Sequence, residues 1–386
     1  MGQPIHPGLG IEAMEAPDQE RGLVLDGTKI LWHKERVEAW LRGEKIAPIT
    51  IDMALTRACN YRCEYCYGLL QENPRKKITM DVMSSFLDDA AEMGVKAISL
   101  VSDGESSVSP IYPQVIVKGS KNGLSMAMGT NGYLLTREKL EEILPYLTYL
   151  RFNISAGEAQ RYAQIHGVPA PYFDQVCQNI KDAVAIKRRH RLSVTIGLQM
   201  VLMPTYVDQV LPLAKLGSEL KPDYLIIKHC SDDEKASLGV DYAAYEALYE
   251  TLKAAEGLSD EDYLVKVKWS KIKDAGQRRY KQCYGPPFIL QLSGSGLVAP
   301  CGMLFGNAYR RYWIGNIVDT RFKKIWQSRR YWQVMAEIAS PRFDAQTMCG
   351  CLCLQHKVNE FLWDLKHGDV ELVDPRGPKP QHINYI

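Results

Sequence analysis

Between about residues 50 and 260, apolar strand-like runs alternate with amphipathic helix-like stretches six times. No other property of this 386-residue chain narrows its fold as far. Ile49–Leu55 reads as an apolar strand, and Asp81–Glu92 follows with apolar residues at helical spacing and Thr79 placed to cap it. The pattern repeats as Lys96–Val101 and Tyr112–Lys121, then Leu124–Met128 and Arg137–Tyr146. It continues as Tyr149–Ser155 and Tyr172–Arg188, Leu192–Met203 and Val207–Leu220, and Tyr224–His229 and Tyr242–Ala255. Strands separated by helices pair in parallel, through right-handed crossovers. Six such units predict an α/β protein built on a curved, partial (β/α)6 barrel. In such barrels the chemistry sits on loops after the C-terminal strand ends.

The flanks differ from this core. Residues 1–48 form an N-terminal extension. Met1–Gly22, rich in Gly, Pro and acid, reads as disordered; Gly22–Leu31 reads as a strand or hairpin, and Lys34–Leu41 as a helix. The barrel is expected over 49–262, and a small Cys-rich α+β extension over 263–366. In that extension Phe288–Leu292 and Gly296–Pro300 suggest a hairpin around a Ser-Gly-Ser turn. Arg321–Ala339 and Val358–Leu365 suggest helices, and 367–386 an irregular, Pro-rich tail.

A net charge of +2 gives no global field that would favour nucleic acid or an acidic membrane. No run approaches the roughly 18 apolar residues of a membrane span, and the N-terminus lacks an apolar signal core. A cytoplasmic protein is expected. Short basic runs at Lys187–Arg191 and Arg278–Lys281 read as solvated helix faces. Ten cysteines in a reducing compartment point to metal or redox chemistry rather than disulfides. Cys177 reads as core.

Three of the cysteines, Cys59, Cys63 and Cys66, stand in the loop after the first strand as C-x3-C-x2-C. Three thiolates this close can hold three corners of a four-iron cube and leave one iron open. A structural zinc ion normally takes four protein ligands. Ser102-Asp-Gly-Glu-Ser106 follows the second strand, where Gly104 permits an unusual backbone turn and Glu105 offers an acceptor.

These motifs resemble those of the radical S-adenosylmethionine (SAM) superfamily. Tyr65 fills the aromatic place before the third cysteine. The resemblance implies a [4Fe–4S] cluster whose open iron chelates SAM. It also implies reductive cleavage of SAM to a 5′-deoxyadenosyl radical that abstracts hydrogen from substrate. A reductant of flavodoxin or ferredoxin type is implied as partner. Asp-Gly-Glu stands where the family has Gly-Gly-Glu, with Asp103 replacing the first glycine. The implied SAM-binding set is Tyr65, Asp103, Gly104 and Glu105, with Thr130 and Asn131 ending the third strand. Asn153 and Ser155 at the fourth, and Gln199 facing inward from the fifth, complete it. Cys230 ends the sixth strand, where a thiol could donate a hydrogen atom to a substrate radical. Its neighbours Lys228 and His229 could serve substrate binding or acid–base work.

The tail resembles the SPASM/twitch extension of the same superfamily. Cys283 precedes Gly296 and Cys301, and the Gly315-Asn-Ile…Ile325-Trp stretch leads to Cys349-Gly-Cys-Leu-Cys353. A full module needs about seven cysteines for two clusters, four per complete cube. The five here imply one auxiliary [4Fe–4S] cluster, held by Cys283, Cys301 and two of Cys349, Cys351 and Cys353. His356 is a remote alternative ligand, and structural zinc an alternative occupant. With about 28 ordered-looking residues before the barrel, too few for a peptide-binding domain, the expected substrate is a small polyol, sugar or aminoglycoside-like molecule. Dehydrogenation or epimerisation would follow. Peptide maturation and a non-catalytic iron–sulfur electron carrier are the alternatives.

Overall fold

The computed structural model describes residues 24, 27–351 and 353–386; the disorder expected for Met1–Gly22 lies outside them. Ten strands form one sheet. In chain order they are β1 (Thr50–Met53), β2 (Ala97–Leu100), β3 (Ser125–Thr130), β4 (Tyr149–Asn153) and β5 (Thr195–Leu202), then β6 (Tyr224–His229), β7 (Leu264–Val267), β8 (Ile289–Leu292), β9 (Leu297–Ala299) and β10 (Gly315–Asn316). The order across the sheet is β10-β9-β8-β1-β2-β3-β4-β5-β6-β7. From β8 through β7 every pairing is parallel; β9 and β10 add antiparallel. Since β7 does not pair with β10, the barrel stays partial.

The helices are α1 (Lys34–Leu41), α2 (Met80–Glu92), α3 (Tyr112–Lys121), α4 (Arg137–Ile143), α5 (Ala159–His166) and α6 (Pro171–His190). They continue as α7 (Val210–Leu220), α8 (Tyr249–Glu256), α9 (Trp269–Lys273), α10 (Phe322–Gln327), α11 (Arg329–Ile338) and α12 (His356–His367). Strand alternation divides the side chains by face. Ile51, Met53, Ile98, Leu100, Leu150 and Phe152 are buried in one core with Phe86, Leu87, Val115 and Ile116 of the helices. Asp52, Ser99, Arg151, Gln199, Lys228 and Gln291 take the inner face.

The six anticipated units are present, with four differences. Thr28–His33 is a 3-10 helix rather than a strand. Its Ile30 packs with Val37, Phe288 and Leu362 in a second core, so burial against α12 overrides local β-propensity. The single helix expected over Arg321–Ala339 breaks at Ser328 (ψ 150°), whose Oγ caps α11 by accepting from Tyr331 N–H at 3.2 Å. Helix α5 and strand β7 were not anticipated. The expected hairpin is β8–β9.

The C-terminal tail is irregular, yet it is built into the barrel. Thr50 Oγ1 donates to Asn384 O at 2.6 Å, Asn384 Nδ2 donates to Ser125 Oγ at 3.0 Å, and Thr195 Oγ1 meets His382 Nε2 at 2.8 Å. Tyr385 is buried against Ala97, Ala127 and Tyr149. Thr50, Ala97, Ser125, Tyr149 and Thr195 are the first residues of β1 to β5. The tail therefore closes the N-terminal end of the barrel, opposite the cysteine loop.

Candidate active site and metal centres

The loop that follows β1 carries Cys59, Cys63 and Cys66, and three neighbours hold it. A Cβ on Gly104 would stand 2.0 Å from Thr56 O, and one on Gly294 would stand 2.2 Å from Thr56 C. Only glycine lets both segments lie this close to the loop backbone. Gly104 is not among the residues of positive φ, so close approach, rather than the unusual turn expected, explains it. Glu105 N–H also donates to Ala58 O at 3.0 Å. On the other side, Arg62 N–H and Glu64 N–H donate to His166 O and Ile165 O at 3.1 and 3.0 Å. The cysteine loop thus satisfies the terminal carbonyls of α5.

His166 is fully buried. Its Nε2 accepts from Ser155 N–H at 3.1 Å, and its Nδ1 lies 3.2 Å from Cys63 Sγ and 3.5 Å from Tyr65 Oη. Burial lowers its pKa to about 3, so the ring is neutral. With Nε2 accepting, the proton belongs on Nδ1 and points at Cys63.

Burial pushes the cysteine thiols upward, Cys59 to about 11. A cationic centre reverses that preference, so charging this loop is coupled to metal binding. Among the described residues the one set of three or more His, Cys, Asp or Glu donors converging within 4.8 Å is Asp274, His356 and Glu360. Neither cysteine group gathers round a point as the ligands of a single zinc ion do; a cube holds its thiolates farther apart. The acidic set is neutralised by Lys357 Nζ, 2.8 Å from Asp274 and 2.7 Å from Glu360.

Glu105 is buried and organises the next two strand ends. Its Oε1 accepts from Ser107 N–H (3.0 Å), Ser107 Oγ (2.7 Å) and Thr130 Oγ1 (2.9 Å), and its Oε2 from Asn131 N–H (2.8 Å). Asn131 Nδ2 donates to Asn60 Oδ1 in the cysteine loop at 2.8 Å. Gln199 Nε2 donates to Asn153 Oδ1 at 2.9 Å, and Ser155 Oγ accepts from Val201 N–H at 3.1 Å. Asp103 has a different occupation. Its carboxylate accepts from Ser293 Oγ (2.6 Å) and Gly294 N–H (2.7 Å) and pairs with Arg57 Nε (3.3 Å). That carboxylate clasps the β8–β9 turn to the cysteine loop.

Cys230 is buried, its Sγ 3.8 Å from Tyr65 O and 3.5 Å from Ser231 O. Burial pushes its thiol up to about 12, so it is protonated at neutral pH. His229 faces away from the mouth. Its Nδ1 meets Cys230 O at 2.7 Å and its ring packs on Tyr242 and Tyr245, because adjacent strand residues take opposite faces.

The second centre is a cavity lined by Cys283, Cys301, Cys349 and Cys353 with Arg278, Tyr280, Leu304 and Phe343. Cys351 does not line it; its thiol bonds Tyr242 Oη and its N–H donates to Asp232 O at 2.9 Å. His356 has both ring nitrogens engaged, Nδ1 with Tyr280 Oη at 3.1 Å and Nε2 with Asp274 at 2.9 Å, which leaves neither for a metal. Arg278, expected on a solvated face, is buried and donates to Cys349 Sγ at 3.2 Å. Its closeness in sequence to Cys283 is the one signal that could have found it. The loops that carry the two centres touch: Tyr67, next to Cys66, donates to Met303 O at 3.2 Å, and Gln71 donates to Gly302 O.

Residues 53–216 match the radical SAM superfamily, and residues 283–353 match the SPASM iron–sulfur cluster-binding domain. The chain is a radical SAM enzyme with a C-terminal auxiliary iron–sulfur domain, and its cofactors are a SAM-binding [4Fe–4S] cluster and auxiliary iron–sulfur. It is 24% identical over 332 residues to an AdoMet-dependent heme synthase of Methanosarcina barkeri, covering 81% of this chain and 90% of that protein. A cofactor-modifying protein of the tungsten-containing aldehyde ferredoxin oxidoreductase of Pyrococcus furiosus is 26% identical, over 46% of this chain and 50% of its own length. Among solved structures, Streptococcus suis SuiB with bound S-adenosylmethionine superposes with a TM-score of 0.60 at 15% identity, covering 80% of this chain and 73% of that one. The likeness is one of fold. No helix among the described residues is long and apolar enough to cross a membrane.

Proposed function

We propose that Cys59, Cys63 and Cys66 hold the SAM cluster, that Cys283, Cys301, Cys349 and Cys353 hold one fully ligated auxiliary cube, and that the enzyme oxidises a small molecule by two electrons. When bound, the first cluster and SAM supply a radical that takes a hydrogen atom from substrate. The chain's own residues do the rest. Glu105, with Tyr65, Gly104, Thr130, Asn131, Asn153, Ser155 and Gln199, shapes the rim that would seat SAM. Asp103 acts through the loop it clasps. Removing a second electron from the substrate radical, with loss of a proton, completes the oxidation. The auxiliary centre would accept that electron, and a flavodoxin- or ferredoxin-type protein would supply the one that cleaves SAM.

One observation carries this reading. Four thiols surround the second cavity while Cys351 is turned to Tyr242. A cube with four protein ligands has no open iron for substrate, so it is suited to moving electrons. The heme synthase relative spans most of both chains, which favours a small molecule. The PqqA peptide cyclase relative of Bradyrhizobium diazoefficiens matches 25% of this chain, which leaves peptide maturation the weaker alternative. A second reading rests on Cys230. Its protonated thiol under the mouth is a hydrogen-atom donor in waiting, and that would give a redox-neutral epimerisation.

The test is anaerobic reconstitution followed by dithionite and SAM. About eight iron per chain and formation of 5′-deoxyadenosine are expected; no cleavage in fully loaded protein would sink the proposal. Cys230→Ala separates the two reactions. It should leave an oxidised product intact and abolish an epimerised one.

A further inference from the structure

We propose that the barrel interior is an oxyanion-binding chamber in which Arg151, Lys228 and Lys268 hold a substrate bearing carboxylate or phosphate groups. The inference deepens the enzymatic reading above and rests on it.

The placement follows from register. Arg151 of β4 pairs with Gly129 of β3 and Gly197 of β5. A side chain at 129 would stand 2.7 Å from Val101 Cγ2 and 3.3 Å from Arg151 Nη2, so the glycine leaves room for both. Lys228 lies on the inner face of β6 toward the mouth, two residues before Cys230. Lys268 follows β7 at the same level, its N–H donating to Ile227 O at 2.9 Å. All three residues are half-buried.

Their charge is poorly answered. Among the described residues no ion pair joins any of the three to a carboxylate, and Arg151 Nε is buried without a hydrogen-bond partner. Asp52 is the carboxylate that acts on Lys228. Burial pushes Asp52 itself up to about 7, which weakens it as a counter-charge. Burial and the neighbouring Arg151 and Lys271 lower Lys228 to about 7, and burial with Lys271, Lys228 and Arg151 also lowers Lys268. A lysine can relieve such crowding by shedding its proton; an arginine cannot. A guanidinium with an unmet donor, beside two lysines whose charge this crowding disfavours, is the arrangement that an incoming oxyanion satisfies. A neutral polyol would leave the Arg151 charge unanswered.

The test uses reconstituted full-length enzyme loaded with SAM. Tricarballylate and inorganic phosphate are titrated in separate calorimetric experiments, to distinguish the two sources of oxyanion. Saturable binding of either is expected, weakened at least tenfold by Lys228→Met and by Arg151→Met. Iron content and SAM binding should be retained in Lys228→Met, which keeps the reading testable if Arg151→Met fails to fold. Absence of binding by both anions, binding that both substitutions leave unchanged, or binding that SAM abolishes would each overturn the proposal. The last would hand the cations to the carboxylate of SAM. Loss of SAM cleavage in the parent enzyme would instead defeat the underlying enzymatic reading.

Discussion

A single proton on His166 ties α5 to the chemistry of the cysteine loop. With Nε2 occupied by Ser155 N–H, the Nδ1 proton is donated to Cys63 Sγ. A sulfur that accepts a hydrogen bond pushes less charge onto iron, and the reduced cluster becomes easier to form. His166→Phe should lower the midpoint potential of the SAM cluster by on the order of tens of millivolts, read by an EPR-monitored redox titration; iron content should be unchanged. Cys351 carries the other residue-scale prediction. Cys351→Ala should keep about eight iron per chain, whereas Cys349→Ala should fall toward about four, as iron and sulfide assays would show. The cysteine spacing announced the first centre because its three ligands are local in sequence. Neither His166 nor the choice within 349–353 was legible. His166 lies 103 residues from Cys63, and the last ligands are sorted by which thiol turns into the cavity, a matter of packing.

Helices and turns position these residues by close contact. Asp103 holds Ser293 and Gly294 of the β8–β9 turn against the cysteine loop. Asp103→Ala would strand the buried Gly294 N–H, at about 1–3 kcal/mol, and leave Ser293 Oγ with Asn73 Oδ1. Denaturant midpoints should fall accordingly, and 5′-deoxyadenosine formation should fall with them because the loop loses its clasp. Gly104→Ala should act more sharply, since its new methyl meets Thr56 O; overpacking of this kind costs about 1–3 kcal/mol. Iron loading after reconstitution is the measurement, and near-normal loading would contradict the account. At this scale the sequence was most readable where periodicity was strong. Helices α1 and α3 lie within the ranges their patterns gave. Helix α5 escaped because it is two turns long and half its face lies against the cysteine loop. β7 escaped because its pattern, Leu-Val-Lys-Val, puts a lysine on the barrel's inner face, where an apolar residue would have advertised a strand.

Across the whole molecule, one sheet carries both centres. β9, which leads to Cys301, pairs antiparallel with β8, and β8 pairs in parallel with β1, which leads to Cys59. Tyr67 then spans the gap to Met303. Alternating strands and helices disclosed the barrel, and the tail's hairpin was visible too. Their fusion into a continuous sheet was not, because pairing between β1 and β8 joins segments more than 230 residues apart and leaves no local trace. The tail beyond α12 was equally silent, being irregular in its own right and ordered by what it touches. Deleting residues 382–386 should expose Thr50, Ser125 and Thr195 and the ring of Tyr149 at the closed end. A lower melting temperature is expected, with more 5′-deoxyadenosine formed per product molecule as water reaches the interior; an unchanged ratio would mean that the tail is no barrier.

That closed end also constrains time as well as space. For a substrate that enters by the mouth rather than by the gap between β7 and β10, a closed floor imposes a queue. If substrate lies in the interior and SAM lies across the mouth, substrate must arrive first. Product must then wait behind methionine and 5′-deoxyadenosine. The five residues that end the chain would in this way set an obligatory kinetic order for an enzyme whose chemistry happens at the other end of the barrel.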